Sequence, residues 1–279
     1  MAQLANLAER RAELLCPVRL YQDLIAVLFR RATGPAWRGF VASNATARLS
    51  AGQPLLRGES VEWDSDSFRA RWFAVCDVLT RHREAGELGR LAEAVRSGVI
   101  DPVKAVHLMI RDAPRTVPEY FECRGFEARL AASVLRFCAM PSLAALVSGF
   151  ALDAPRLGWS KGFCLVCGSW PLLAESRGLE QFRWLRCGLC GAGWQVDRIF
   201  CPFCETRDHR LLHDLFVESE ESKCRVSVCD GCRGFVRGIS TLSPITTPGL
   251  LVAELETLHL ELIAQEDGYQ NVTSLSSSP

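Results

Sequence analysis

The chain has 279 residues, 48% of them hydrophobic and 23% charged, and its 32 basic and 32 acidic side chains cancel. That length suits two domains, or one domain with an appendage, and the apolar content excludes a disordered chain. A neutral balance argues against nucleic acid as a partner, because phosphates demand a clearly basic face.

The opening stretch, MAQLANLAERRAELL, places charges where the apolar core of a secretory signal would lie, so a cytosolic chain is expected. Residues 1–155 read as mainly helical. Leu4, Leu7, Leu14 and Leu15 begin an apolar face, and Leu24, Val27 and Leu28 continue one beyond a break at Cys16-Pro17. Gly34-Pro35 ends that segment. A helix starting after Ser65 or Asp66 puts Phe68, Trp72, Val75 and Leu79 on one side. Asp101-Pro102 starts another, with an N-cap followed by proline at the first helical position.

The most apolar stretch is Leu130 to Leu152. Its uncharged part, from Phe137, is sixteen residues long and broken by Pro141. A membrane span needs about 20 apolar residues, so a buried helix pair is expected and no span. Asp153 to Gly158 reads as a linker. After the cysteine-rich region that follows it, a final helix is expected, capped by Thr247, with Pro248 at its first position. Leu251, Leu255, Leu258 and Leu262 form its apolar stripe, Glu254, Glu256, Glu261 and Glu266 its solvated face, and Gly268 its end.

Thirteen cysteines in a reducing compartment point to metal or redox chemistry. Eight fall into Cys-x-x-Cys pairs within a duplication. Residues 163–199 run from Cys164 and Cys167 to Cys187 and Cys190, and residues 200–239 from Cys201 and Cys204 to Cys229 and Cys232. Two residues between cysteines let a turn aim both sulfurs at one ion, and two turns give four tetrahedral corners. The runs Trp170 to Ser176 and Phe182 to Arg186 form the hairpin that holds two turns together. Glycines 168, 188, 191 and 231 supply permissive backbone. A module of about forty residues has little core, so the ion organises it.

Sequential pairing of the cysteine pairs matches the repeat, with nested and crossed pairings as alternatives. A thioredoxin-like dithiol would need a βαβ setting that these pairs lack. His209 and His213 are weak ligand candidates, since each module already has four sulfurs. Cys16, Cys76, Cys123 and Cys138 read as ordinary buried or partly buried thiols. Cys224 lies near the second site in sequence and is a candidate for ligand exchange or oxidation. Four thiolates suit iron and zinc alike. No catalytic motif stands out, and the expectation is a chain that is not an enzyme.

The tandem pairs CLVCGSWP, RCGLCGAGW, FCPFCE and CDGCRGF, followed by a helix ending QEDGY, resemble the formate dehydrogenase accessory protein family, FdhE. The likeness spans about residues 160–270. It implies a multi-domain α+β protein: a helical domain (1–155), two rubredoxin-like or zinc-ribbon modules (156–199 and 200–240), and a C-terminal helix and tail (241–279). It also implies two iron ions per chain, zinc being the alternative, with Cys164, Cys167, Cys187 and Cys190 on one and Cys201, Cys204, Cys229 and Cys232 on the other. Trp194, after the second pair, has Phe235 as its counterpart in the second copy. The implied role is cytoplasmic: assembly of active formate dehydrogenase through contact with its catalytic subunit, with homodimerisation left open. Two other readings remain beside it. One is a tandem zinc ribbon binding nucleic acid by stacking Trp184, Trp194 and Phe203 on bases. The other is a rubredoxin-like electron carrier.

Overall fold

In a computed structural model the residues described are 2–11, 14–30, 37–38, 45–59, 61–82, 86–111, 116–149, 159–217 and 223–271. The expected break at Gly34-Pro35 and the linker at Asp153 to Gly158 lie outside them. Contacts divide the chain into two units, Met1–Ala42 with Leu56–Gly149, and Ser43–Leu55 with Phe150–Pro279.

The first unit is helical. It begins with α1 (Ala2–Arg10) and α2 (Leu15–Ile25), which continues as a π turn over Ala26–Arg30. The break between α1 and α2 falls near Arg11 rather than at Cys16-Pro17. Proline tolerates the first helical turn because its missing N–H has no partner there anyway. Strands β1 (Trp37–Arg38) and β2 (Glu62–Trp63) pair antiparallel.

The long α4 (Ser65–His82) buries Phe68, Trp72, Val75 and Leu79, as their spacing requires. Its cap is Asp64, one residue earlier than expected, whose carboxylate accepts from the Ser67 N–H and hydroxyl. Then come α5 (Gly86–Arg96), α6 (Pro102–Arg111), α7 (Thr116–Glu122) and α8 (Ala128–Gly149). Asp101 caps α6 through Val103 and Lys104 N–H groups.

The expected helix pair around Pro141 is a single helix, α8, with that proline inside it. Proline removes one ladder bond and crowds the preceding turn. In that turn buried Arg71 of α4 donates to the Cys138 carbonyl and to Ser142 Oγ, at 2.7 and 2.8 Å. By length and composition α8 passes for a membrane span, yet over half of its apolar window is buried against the unit.

The second unit holds α3 (Ala45–Ser50) and a six-stranded sheet. Its strands are β3 (Pro171–Arg177), β4 (Phe182–Cys187), β5 (Gly193–Gln195), β6 (Leu212–Leu215), β7 (Cys224–Cys229) and β8 (Phe235–Thr241). The spatial order is β5-β4-β3-β8-β7-β6. Each cysteine module contributes a three-stranded antiparallel meander. The two meanders join through parallel pairing of β3 with β8, Leu173 opposite Arg237 and Arg177 opposite Thr241. The copies therefore stand side by side in the same orientation, and all four cysteine turns lie at one end of the sheet.

Helices α9 (Thr247–Glu256) and α10 (Leu258–Glu266) cover one face, burying Leu250, Ala253, Leu260 and Ala264 against Leu173, Val226, Val228, Phe235 and Ile239. The single helix expected here is broken at Thr257, whose buried hydroxyl donates to the Ala253 carbonyl. The break rotates the stripe, so Leu258 and Leu262 are exposed. The cap is Thr246, which accepts from Gly249 N–H. Gly268, at φ +79°, ends α10 as expected, with the Tyr269 N–H donating to the Ala264 carbonyl. The acidic face is partly paired: Glu256 with Lys223, and Glu261 with Arg237.

Candidate metal centres

The four Cys-x-x-Cys turns share one backbone design. In each, the first cysteine's N–H donates to the carbonyl five residues on, and its own carbonyl accepts from the N–H four residues on. The partners are Ser169 and Gly168 for Cys164, Ala192 and Gly191 for Cys187, Thr206 and Glu205 for Cys201, and Gly234 and Arg233 for Cys229. The fourth residue after the first cysteine is always left-handed, with φ +77° at Gly168, +74° at Gly191, +58° at Glu205 and +57° at Arg233. The first module thus meets this demand with glycine, whereas the second forces it on side-chain-bearing residues.

Glycines 188 and 231, expected to relax the turns, are not left-handed. Gly188 instead makes room for Leu172, whose Cβ would lie 2.9 Å from an added one.

The turns converge pairwise in chain order. Cys164, Cys167, Cys187 and Cys190 form one group, and Cys201, Cys204, Cys229 and Cys232 the other, with all sulfurs of a group within 4.8 Å of one another. The cross-turn sulfur distances are 3.5 and 3.4 Å in the first group and 3.7 Å twice in the second. A tetrahedral ion with bonds of about 2.3 Å needs sulfurs about 3.8 Å apart, so either group could close on an ion with little movement. A disulfide would bring its sulfurs to about 2.05 Å.

Backbone N–H groups already point at the sulfurs. Val166 donates to Cys164, and Leu189 to Cys187, both at 3.4 Å. Phe203 and Cys204 do the same for Cys201, and Gly231 and Cys232 for Cys229. Burial pushes the Cys164 and Cys190 thiols well up, while S–H donors from Cys164, Cys187 and Cys190 bring Cys167 well down. In the second group the hydrogen bond that the Cys201 S–H donates to Cys232, then burial, raises Cys201, and burial raises Cys229. Thiols that burial keeps protonated, as at Cys164, Cys190, Cys201 and Cys229, need a cation's charge to be held as thiolates.

The two cages differ in access. All four cysteines of the first are buried, but Cys204 is exposed and Cys232 half-buried in the second. Contacts join them directly: Trp170, after the first turn, packs edge-on against Phe203 inside the third, at 5.4 Å, and Phe163 packs against Trp170 at 6.1 Å. The Pro202 carbonyl lies where a Cβ on Gly162 would sit. A tail strap holds the fourth turn. Tyr269 donates to Asp230 at 2.7 Å, Arg233 lies 3.9 Å over the Tyr269 ring, and Gln270 N–H donates to the Arg233 carbonyl.

Under the first cage, fully buried Glu175 binds Arg186 at 2.6 Å and Arg177 at 2.9 Å, and accepts from Thr241 Oγ1 and Ile245 N–H. Burial alone would raise this carboxyl, but the two arginines outweigh it and hold it below its usual range.

Other sequence candidates fall elsewhere. Cys224 opens β7 while Cys229 closes it, about 17 Å along an extended strand, so Cys224 cannot exchange into the cage. His213 sits on β6 beside Tyr269, and His209 in the preceding turn; they do not share a helix. Cys76 and Cys138 are buried as expected, but Cys16 and Cys123 are exposed. Trp194 is fully buried, its indole donating to the Lys161 carbonyl, and Trp184 lies under Arg177, so neither offers the open ring face expected of a base-stacking platform.

The chain is 24% identical over 237 residues to the FdhE homologue of Aquifex aeolicus, covering 82% of this chain and 76% of that protein. The crystal structure of the Pseudomonas aeruginosa FdhE protein aligns with 99% of this chain and 92% of its own, at TM-score 0.66 and 20% identity. The chain is similar to FdhE proteins over most of its length. The FdhE homologue of Cronobacter sakazakii is 31% identical over 134 residues, but that alignment spans only 46% of this chain and 40% of the relative. The Escherichia coli FdhE alignment spans 36% of its length. No family model matches. The P. aeruginosa structure supports the α+β fold assigned here, in which this chain's two four-cysteine groups are consistent with tandem zinc-ribbon modules.

Proposed function

We propose that this protein is a non-enzymatic accessory factor required for active formate dehydrogenase, acting in the cytoplasm on the enzyme's catalytic subunit. The observation that carries the reading is the pair of four-thiol cages at one end of a single sheet, within a chain similar to FdhE proteins along its length. In this proposal Cys164, Cys167, Cys187 and Cys190 hold one ion, and Cys201, Cys204, Cys229 and Cys232 a second, iron first and zinc second in preference. Bound iron would supply one-electron exchange, and zinc only a cross-link. Four protein sulfurs leave no position for water or substrate, which takes metal-assisted hydrolysis out of reach. The division into residues 1–155, 156–199, 200–240 and 241–279 belongs to the same proposal.

The test is deletion with complementation. The client polypeptide should accumulate normally while its activity is lost, and the intact gene should restore it. Full formate dehydrogenase activity in the deletion strain would refute the reading. Exposure of Cys204 favours one further reading, electron exchange through the second cage. Reversible bleaching of an iron-loaded protein by the reduced client supports it, and an inert spectrum removes it.

A further inference from the structure

Two adjoining clefts of about 240 Å³ each share Arg183, Arg198, Asp214 and Ser227. They form one groove on the sheet face opposite α9 and α10. At one end the groove reaches Cys201 and Cys229 of the second cage, and at the other Ser176 and Gly238. Its floor crosses β6, β7, β8 and β3, three strand spacings or about 14 Å, enough for four or five extended residues.

Charge in the groove is unbalanced. Arg225 pairs with Asp214 at 3.5 Å. Arg183 donates to the carbonyls of Arg198 and Phe200, and Arg198 to that of Glu180. These acceptors are neutral, and Asp214, already paired with Arg225, is the one carboxylate among the described lining residues, with the Cys201 sulfur the other negative group acting on Arg183. The cleft is also lined by the aliphatic side chains of Leu212, Val236 and Ile199, the last 47% exposed. The phenylalanines offer no open face: Phe200 is buried under Arg207, and Phe203 is held against Trp170.

We propose that this groove binds an extended acidic peptide segment of the client, a carboxylate side chain against Arg183 and Arg198 and an aliphatic neighbour against Ile199, Leu212 and Val236. The proposal rests on the accessory-protein reading and names the chemistry of the client segment. Paired arginines match carboxylates, and aliphatic walls accept side chains where stacked bases would need rings.

The experiment uses metal-loaded full-length protein and a fluorescent peptide of roughly ten alternating Glu and Leu residues, longer than the groove floor. The peptide should bind with a Kd of roughly micromolar order, weaken with salt, and lose about tenfold in Arg198→Glu and in Ser227→Trp. Metal content and circular dichroism of both variants should match the parent. Equal or tighter binding of a Lys-Leu peptide or of oligothymidylate, no binding of the acidic peptide, or unchanged affinity in both variants would overturn the proposal. The same variants, tested for formate dehydrogenase activity, separate the two readings. If both variants support the enzyme fully, the groove is wrong and the accessory role stands. If the unaltered protein fails to support it, the accessory role falls whatever the peptide does.

Discussion

Gly191→Ala tests the turn design at the first cage. Gly191 sits at φ +74°, and a Cβ there would lie 2.7 Å from Thr247 Oγ1 and 3.1 Å from its Cγ2. Left-handed backbone costs an alanine about 1–2 kcal/mol relative to glycine, of which about 0.4–1 is offset by a less flexible unfolded chain. Overpacking against Thr247, pinned at the first residue of α9, adds about 1–3 kcal/mol. Gly178 is the control, at φ +67° with no atom within 4 Å of an added Cβ. Gly178→Ala should therefore cost about 1 kcal/mol and Gly191→Ala about 3 kcal/mol. Denaturant unfolding of the metal-loaded protein, followed by circular dichroism and by release of metal to a coloured chelator, measures both. Equal losses in the two variants, or an unperturbed Gly191→Ala, would refute the packing argument.

Three further outcomes are expected. Cys204 should be alkylated first among the eight paired thiols, with chelators emptying the second cage before the first, since it alone reaches solvent; peptide mapping and stepwise metal release read the order. Gly162→Ala should destabilise by roughly 1–3 kcal/mol by driving a methyl into the Pro202 carbonyl, and a thermal melt unchanged from the parent would contradict the close approach of the two modules. The Glu175 carboxyl is depressed, so its stabilisation is full above the unfolded value of about 4.3 and is lost as pH falls through the lower folded value. Glu175→Gln, which strands Arg177 and Arg186, should cost about 3–5 kcal/mol at neutral pH. The gap to the parent should narrow in acid, and a pH-independent gap would contradict the ion cluster.

The cages were legible because Cys-x-x-Cys spacing is a local constraint: a sulfur two residues past a turn has few places to go. Sequential pairing followed from the repeat, the buried face of α4 from its periodicity, and the start of α6 from the Asp101-Pro102 cap. What the sequence hid depended on distant partners. Parallel pairing of β3 with β8 leaves no turn signal, because the strands are separated by both meanders. Pro141 read as a break because Arg71, which braces that turn of α8 through the Cys138 carbonyl and Ser142, lies about seventy residues earlier. Leu258 and Leu262 looked buried because a one-residue interruption at Thr257 is enough to rotate a stripe. Glu205 and Arg233 in left-handed backbone were invisible, since only glycine advertises that conformation, although the first copy's Gly168 and Gly191 occupy the matching positions.

The claim on which the account depends is that each four-sulfur group holds one ion. Metal analysis with a visible absorption spectrum, on protein isolated anaerobically without chelators, tests it most directly. The expected result is two ions per chain, red if ferric and colourless if zinc, falling to one in Cys201→Ser. A folded, metal-free protein with all eight thiols titratable and no uptake of either metal would contradict it.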